Sequence, residues 1–211
     1  VVDAAVAPRA RAYEPALVLA SAQQAVVLAK GSARVAVIGE RINPTGKPKL
    51  QAALRAGNFD YLVGEGVAQA EAGADVLDVN VGLPELDEVA TLSHAVDTLA
   101  STLTLPLVFD SSDVVALEVA VRTYAGKPLI NSVNAKRESL DAVLPLVKRY
   151  GCAVLGLTLD EEGIPPTAEG RLRAAERIVE AAEAAGIPRE DVVIDCLVMA
   201  AATNQDEARE I

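Results

Sequence analysis

The 211-residue chain carries 30 acidic and 19 basic side chains, a formal net charge of −11, so phosphate backbones and anionic membrane surfaces repel it and nucleic acid is excluded as a partner. It is 51% hydrophobic but only 3% aromatic, with no Trp, and a core of Val, Leu, Ile and Ala suits packed layers of helix and sheet. No apolar stretch reaches the ~20 residues of a membrane span, and Asp3, Pro8 and Arg9 stand where a signal peptide needs an apolar run, so a cytoplasmic protein is expected.

Residues 1–33 differ in kind from the rest of the chain. The chain starts on Val1, which reads as a piece of something longer, and continues as a Pro-containing leader. "ALVLASAQQAVVLAK" then places two apolar runs around Gln23 and Gln24 and predicts a β-hairpin. Such a hairpin suits either a plug for the amino-terminal end of a barrel or a link to an upstream domain.

From Arg34 one grammar repeats: a short apolar run, a turn, then a segment of helical period. The runs are "VAVIGE" to Glu40, "DVLDVN" to Asn80, "LPLVFD" to Asp110, "KPLIN" to Asn131, "AVLGLT" to Thr158 and "DVVID" to Asp195. Between the last two lies "RLRAAERIVEAAEAAG", whose Leu172, Ala175, Ile178, Val179 and Ala182 fall on one helical face. Gly186 and Pro188 end that helix. β-α units in series predict a parallel sheet covered by helices.

A (β/α)8 barrel needs eight strands and typically ~250 residues. Here the sixth strand ends at Asp195, and only "NQDEAREI", the start of a helix, remains. An open doubly wound sheet usually carries a Gly-rich phosphate loop after its first strand, and neither G-x-G-x-x-G nor the Walker pattern occurs. The expected fold is therefore α/β, a TIM-type (β/α)8 barrel cut short after its sixth unit. Residues 34–211 form it and residues 1–33 are an extension.

Every run finishes on a polar side chain. In parallel α/β folds the carboxyl ends of the strands form the functional face. A single Asp there is usually a helix cap, but "DSSDVVALEVAV" already offers Ser112 and Asp113 as caps and leaves Asp110 for other work. Cys152 and Cys196 sit in or beside apolar runs and read as reduced core thiols. The single histidine, His94, lies in an Ala/Leu-rich helix and reads as a surface or groove residue, so a zinc site of His and Cys is not expected.

Taken in order, "GERINPTG", "DVLDVNVG", "FDSSD", "INSVNAKRE", "LGLTLDEEGIP" and "IDCLV" resemble the strand ends of the pterin-binding barrel family. The likeness is greatest to the methyltetrahydrofolate-binding domain of cobalamin-dependent methionine synthases and to methyltetrahydrofolate:corrinoid methyltransferases. It covers residues 34–211, and the leader resembles the segment joining the homocysteine and folate domains of the modular synthases. One departure is Cys196, where many relatives carry Pro.

The resemblance implies that Asp110, Asn131 and Asp195 hold the pterin ring, with Asn80 nearby and Glu40, Arg41 and Asn43 lining the mouth. The residue types fit that role. A pterin presents an N3–H and a 2-amino group side by side next to a carbonyl; a carboxylate accepts both donors and an amide donates and accepts at once. The implied reaction is transfer of the N5 methyl of methyltetrahydrofolate to cob(I)alamin, with Asn131 and Asp110 as catalytic residues and no metal bound by this chain. Cobalamin is expected on a partner domain or protein, and a homocysteine-binding domain upstream. The site must help N5 accept a proton; in the family an Asn on a seventh strand takes part in this. Two other readings stand beside it. A dihydropteroate synthase usually carries N-x-T-x-D-S-F after its first strand, unlike "RINPTGKPK" here. A non-catalytic module would only present folate to a corrinoid domain.

Overall fold

The computed structural model describes residues 15–29, 31 and 34–198. The Pro-containing leader and the "NQDEAREI" segment lie outside the described residues.

Two strands, β1 (Ala16–Ala20) and β2 (Ala25–Ala29), pair antiparallel with Ala20 opposite Ala25. The hairpin closes because Ser21 Oγ accepts the N–H groups of Gln23 and Gln24 at 3.1 and 3.0 Å, a short polar side chain satisfying the turn's donors. Leu19 and Val26 are buried and Val27 is exposed, the alternation of a ribbon with one covered face.

Six further strands make one parallel sheet in sequence order. They are β3 (Ile38–Ile42), β4 (Val76–Val79), β5 (Leu107–Asp110), β6 (Leu129–Asn134), β7 (Ala153–Leu157) and β8 (Val192–Asp195). The connections carry α1 (Pro48–Arg55) and α2 (Phe59–Glu71), then α3 (Glu88–Thr102), α4 (Val114–Thr123), α5 (Arg137–Tyr150) and α6 (Ala168–Ala184). β3 and β8 are the two edges, and the sheet is an open arc of barrel among the described residues. None of the described helices is long and apolar enough to cross a membrane.

Period-two alternation sorts each strand between two cores. Leu77, Val79, Leu107, Phe109, Ile130, Val133 and Val154 face the helices in the larger cluster, where the Phe109 ring meets Tyr124 edge-on at 5.3 Å. Val76, Val108, Leu129 and Ala153, at the starts of their strands, face the concave side and pack against Leu19 and Val26 of the hairpin. Ala20 is stitched to Lys127 by two backbone bonds of 2.8 and 3.0 Å. The hairpin therefore covers the amino ends of the strands. Gly126 makes this possible: a Cβ there would stand 2.1 Å from the Ala20 carbonyl oxygen.

Helix ends follow local chemistry. Asp113 caps α4 by accepting from the N–H groups of Val115 and Ala116, Asp87 caps α3 and Thr167 caps α6. α5 stops at Gly151 in the left-handed region, φ 66°.

Three expectations need correction. The first apolar run does not end at Glu40: β3 starts only at Ile38 and continues through Glu40 and Arg41 to Ile42. A register irregularity between Gly39 and Ile42 lets this edge strand carry two consecutive charged residues. In α6 the buried stripe is Gly170, Arg171, Ala174, Ile178 and Ala182, while Leu172 is 59% exposed. The buried stripe contains an arginine, satisfied through the carbonyls of Pro165, Cys196 and Leu197, so a search for apolar residues alone rotates the helix. Cys152 is buried as expected, but Cys196 is exposed, because it follows the edge strand β8.

Candidate functional site

The carboxyl ends of β4, β5 and β6 bring four side chains together. Asn80, just past β4, donates from Nδ2 to Asp110 Oδ2 at 2.9 Å, and its Oδ1 accepts from the Gly82 N–H at 2.9 Å. Asn131 donates from Nδ2 to Asp78 Oδ1 at 3.2 Å. Asp110 and Asn131 are register partners, so both stand on the concave face at one level.

Asp78 is the member that the strand-end reading passed over. It lies inside the run "DVLDVN", with 3% of its surface exposed, and its Oδ2 has no hydrogen-bond partner among the described residues. Burial, reinforced by the charge of Asp110, pushes its pKa up to about 7 despite the Asn131 hydrogen bond. Burial also raises that of Asp110, against the Asn80 hydrogen bond and with the charges of Glu40 and Glu88 adding to it. The signal was legible, since an acid within an otherwise apolar buried strand demands a reason.

A supporting layer holds this group. The Ser111 hydroxyl donates to Glu88 and accepts from the Asp113 N–H at 3.0 Å, tying the loop after β5 to the start of α3.

The remaining residues expected at the site divide between the cradle and its surroundings. Glu40 is close enough to act on both Asp78 and Asp110. Arg41 turns to α2 instead, its Nε 3.5 Å from Glu65 Oε2 and its backbone N–H held by Gln69 Oε1 at 2.8 Å. Gly39 admits that glutamine, because a Cβ would come within 2.6 Å of Gln69 Oε1. Asn43 spends its Oδ1 on the Thr45 N–H at 3.0 Å, shaping the turn. Asp195 shares the concave face with Val193 by strand parity. It stands opposite Leu157, one pleat beyond the level where Asn131 meets Leu155. Its Oδ1 accepts from the Leu197 N–H at 2.7 Å, and no bond joins it to Asp110 or Asn131 among the described residues.

This arrangement can grip a flat heterocycle. Asp110 uses one carboxylate oxygen on Asn80 and keeps the other for a ligand; Asn131 has its carbonyl oxygen and one N–H left. The sequence profile of the pterin binding enzyme family matches residues 39–211.

The chain belongs to the pterin-binding enzyme family.

Among curated members related to this pterin-binding chain, methionine synthase of Mycobacterium tuberculosis is 32% identical over 203 residues, covering 93% of this chain and 17% of that protein. Methionine synthase of Mycobacterium leprae is 30% identical over 204 residues, with 94% and 17% covered. The chain thus spans about a sixth of the length of these relatives. Solved structures with the same fold include Yersinia pestis dihydropteroate synthase in a sulfonamide drug complex, with a TM-score of 0.65, 18% identity, and 85% of this chain and 67% of that one covered. A Xanthomonas albilineans dihydropteroate synthase gives a TM-score of 0.62 at 25% identity, with 87% and 65% covered. These pterin-family barrels confirm the α/β barrel-type architecture expected from the repeating units.

Proposed function

We propose that this chain binds methyltetrahydrofolate through its pterin ring and supports transfer of the N5 methyl group to a cob(I)alamin carried by a partner domain or protein, in a methionine synthase or corrinoid methyltransferase system. The observation that carries the reading is the linked set Asp78, Asn80, Asp110 and Asn131 on one concave face. With it go a cytoplasmic setting, a barrel unit at residues 34–211 with residues 1–33 as its extension, and a homocysteine-binding domain upstream.

Asp110 accepts the paired ring donors, Asn131 reads the neighbouring acceptor, and Asp195 closes the cradle from β8. Asp78 fixes the Asn131 amide so that its oxygen and second N–H point to the ring. Loss of the methyl group leaves an electron pair on N5, which must take a proton. Asp78, its pKa pushed up to about 7 by burial, keeps a proton within reach of a hydrogen-bonded network near neutral pH. His94 packs against Phe59 in the helix layer; on this reading the corrinoid is the methyl acceptor and is carried by a partner domain or protein. Dihydropteroate synthase chemistry is favoured less, because curated relatives 30 and 32% identical to this chain are methionine synthases.

Calorimetry on the full chain tests the reading. Methyltetrahydrofolate should bind, and pterin pyrophosphate should not. Asp110→Ala, Asn131→Ala and Asp195→Ala should each weaken binding by roughly 10- to 100-fold, as for lost hydrogen bonds to charged groups, with circular dichroism unchanged. Unaltered affinity in the folded variants, or a preference for the pyrophosphate, overturns it.

A further inference from the structure

Asp195 ends an edge strand, so one of its flanks has no neighbouring strand among the described residues. Its backbone and its carboxylate are held from other elements. The Asp195 carbonyl accepts from both the N–H and the hydroxyl of Thr158, buried just past β7, at 3.0 and 3.1 Å. Its Oδ1 accepts from the Leu197 N–H at 2.7 Å. Leu197 has φ 56° and is the one non-glycine residue with positive φ among the described residues. A leucine keeps that conformation only where its surroundings impose it.

Arg171 supplies that constraint. It stands near the start of α6 with 3% of its surface exposed, and a guanidinium buried so deeply is costly unless its donors are taken up. Nη1 donates to the carbonyls of Cys196 and Leu197, and Nε donates to the Pro165 carbonyl at 3.0 Å. The Cys196 carbonyl and the Leu197 N–H belong to one planar peptide unit, so fixing the carbonyl fixes the direction of the N–H on its far side. Arg171 grips one end of that peptide and the Asp195 carboxylate takes the other.

We infer that Arg171 is the positioning residue of Asp195: it holds the peptide between Cys196 and Leu197 so that the N–H pins Oδ1 and leaves Oδ2 for the bound ring. The inference rests on the pterin reading and deepens it, since Asp195 closes the cradle there. Arg171 has no contact with the ring on this account and acts only through the carboxylate. Its effect on binding must therefore vanish once that carboxylate is removed.

A double-mutant cycle on the full chain, with methyltetrahydrofolate binding followed by calorimetry, tests this. Arg171→Met keeps the apolar stem and removes the donors. It should weaken binding about tenfold in the parent, the size of coupling within one hydrogen-bond network, and by less than about twofold in the Asp195→Ala background. Arg171→Lys should fall between, because one ammonium does not span the three carbonyls. Hydrogen exchange at the Leu197 N–H should quicken in Arg171→Met while circular dichroism stays unchanged; if the methionine unfolds the chain, Arg171→Lys carries the same comparisons. Unchanged affinity or unchanged exchange in a folded variant, or losses that multiply across the two backgrounds, overturns the inference while the cradle stands. If the unaltered chain does not bind methyltetrahydrofolate, the pterin reading fails and takes this inference with it.

Discussion

Asp78→Asn isolates the cost of the buried acid beneath the cradle. In the folded chain the Asp78 carboxyl titrates at about 7, against its ordinary value of 3.8. A group raised in this way is neutral in the folded chain while already ionised in the unfolded one. The contribution of Asp78 to folding stability is therefore greatest below pH 3.8, falls as the pH rises from there to about 7, and is level above it. At about 1.4 kcal/mol per unit, that window removes about 4 kcal/mol. The asparagine keeps an oxygen to accept from Asn131 and removes the ionisation. Urea unfolding of both proteins between about pH 3 and about pH 8.5 brackets that window and measures the difference. The stability of the variant relative to the parent should rise by up to about 4 kcal/mol across that range, whatever its offset at the acid end. Parallel pH profiles would refute the claim that Asp78 is buried and protonated near neutrality.

Two further outcomes test the frame around the site. Gly126→Ala forces a Cβ against the Ala20 carbonyl and should loosen the hairpin, at a cost of about 1–3 kcal/mol as for overpacking; hydrogen exchange at Ala20 and Lys127 should quicken, and unchanged protection would contradict the packing. In the native chain a thiol reagent should label Cys196 promptly and Cys152 only on unfolding, since burial raises the Cys152 thiol to about 12; two fast thiols would show that Cys152 is not enclosed.

How much of this was legible in the sequence depends on which physical signal each element carries. Five of the six sheet strands follow the apolar runs closely: β4 to β7 because a parallel strand covered on both faces must be apolar nearly throughout, and the half-buried edge strand β8 through its Val192, Val193 and Ile194. β3 is the exception, being an edge, where water tolerates Glu40 and Arg41 inside the strand. The hairpin was legible from two alternating runs around a polar turn, though its seat against Val76, Val108, Leu129 and Ala153 was not, since that contact joins residues far apart in the chain. At the site, Asp110, Asn131 and Asn80 were found by being last in their runs. Asp78 was missed for the opposite reason, standing among the apolar residues of β4 where position at a strand end is no guide. The resemblance put Arg41 at the mouth, and Glu65 on α2, distant in sequence, holds its side chain instead.

The hairpin stoppers the amino ends of the strands, so the carboxylate and amide group above it has a floor. On the proposed reading, a flat ring lying there would hide everything under it, and a methyl acceptor would have to approach the ring from the opposite side, so that a bulky acceptor seated first would act as a lid shutting the folate out.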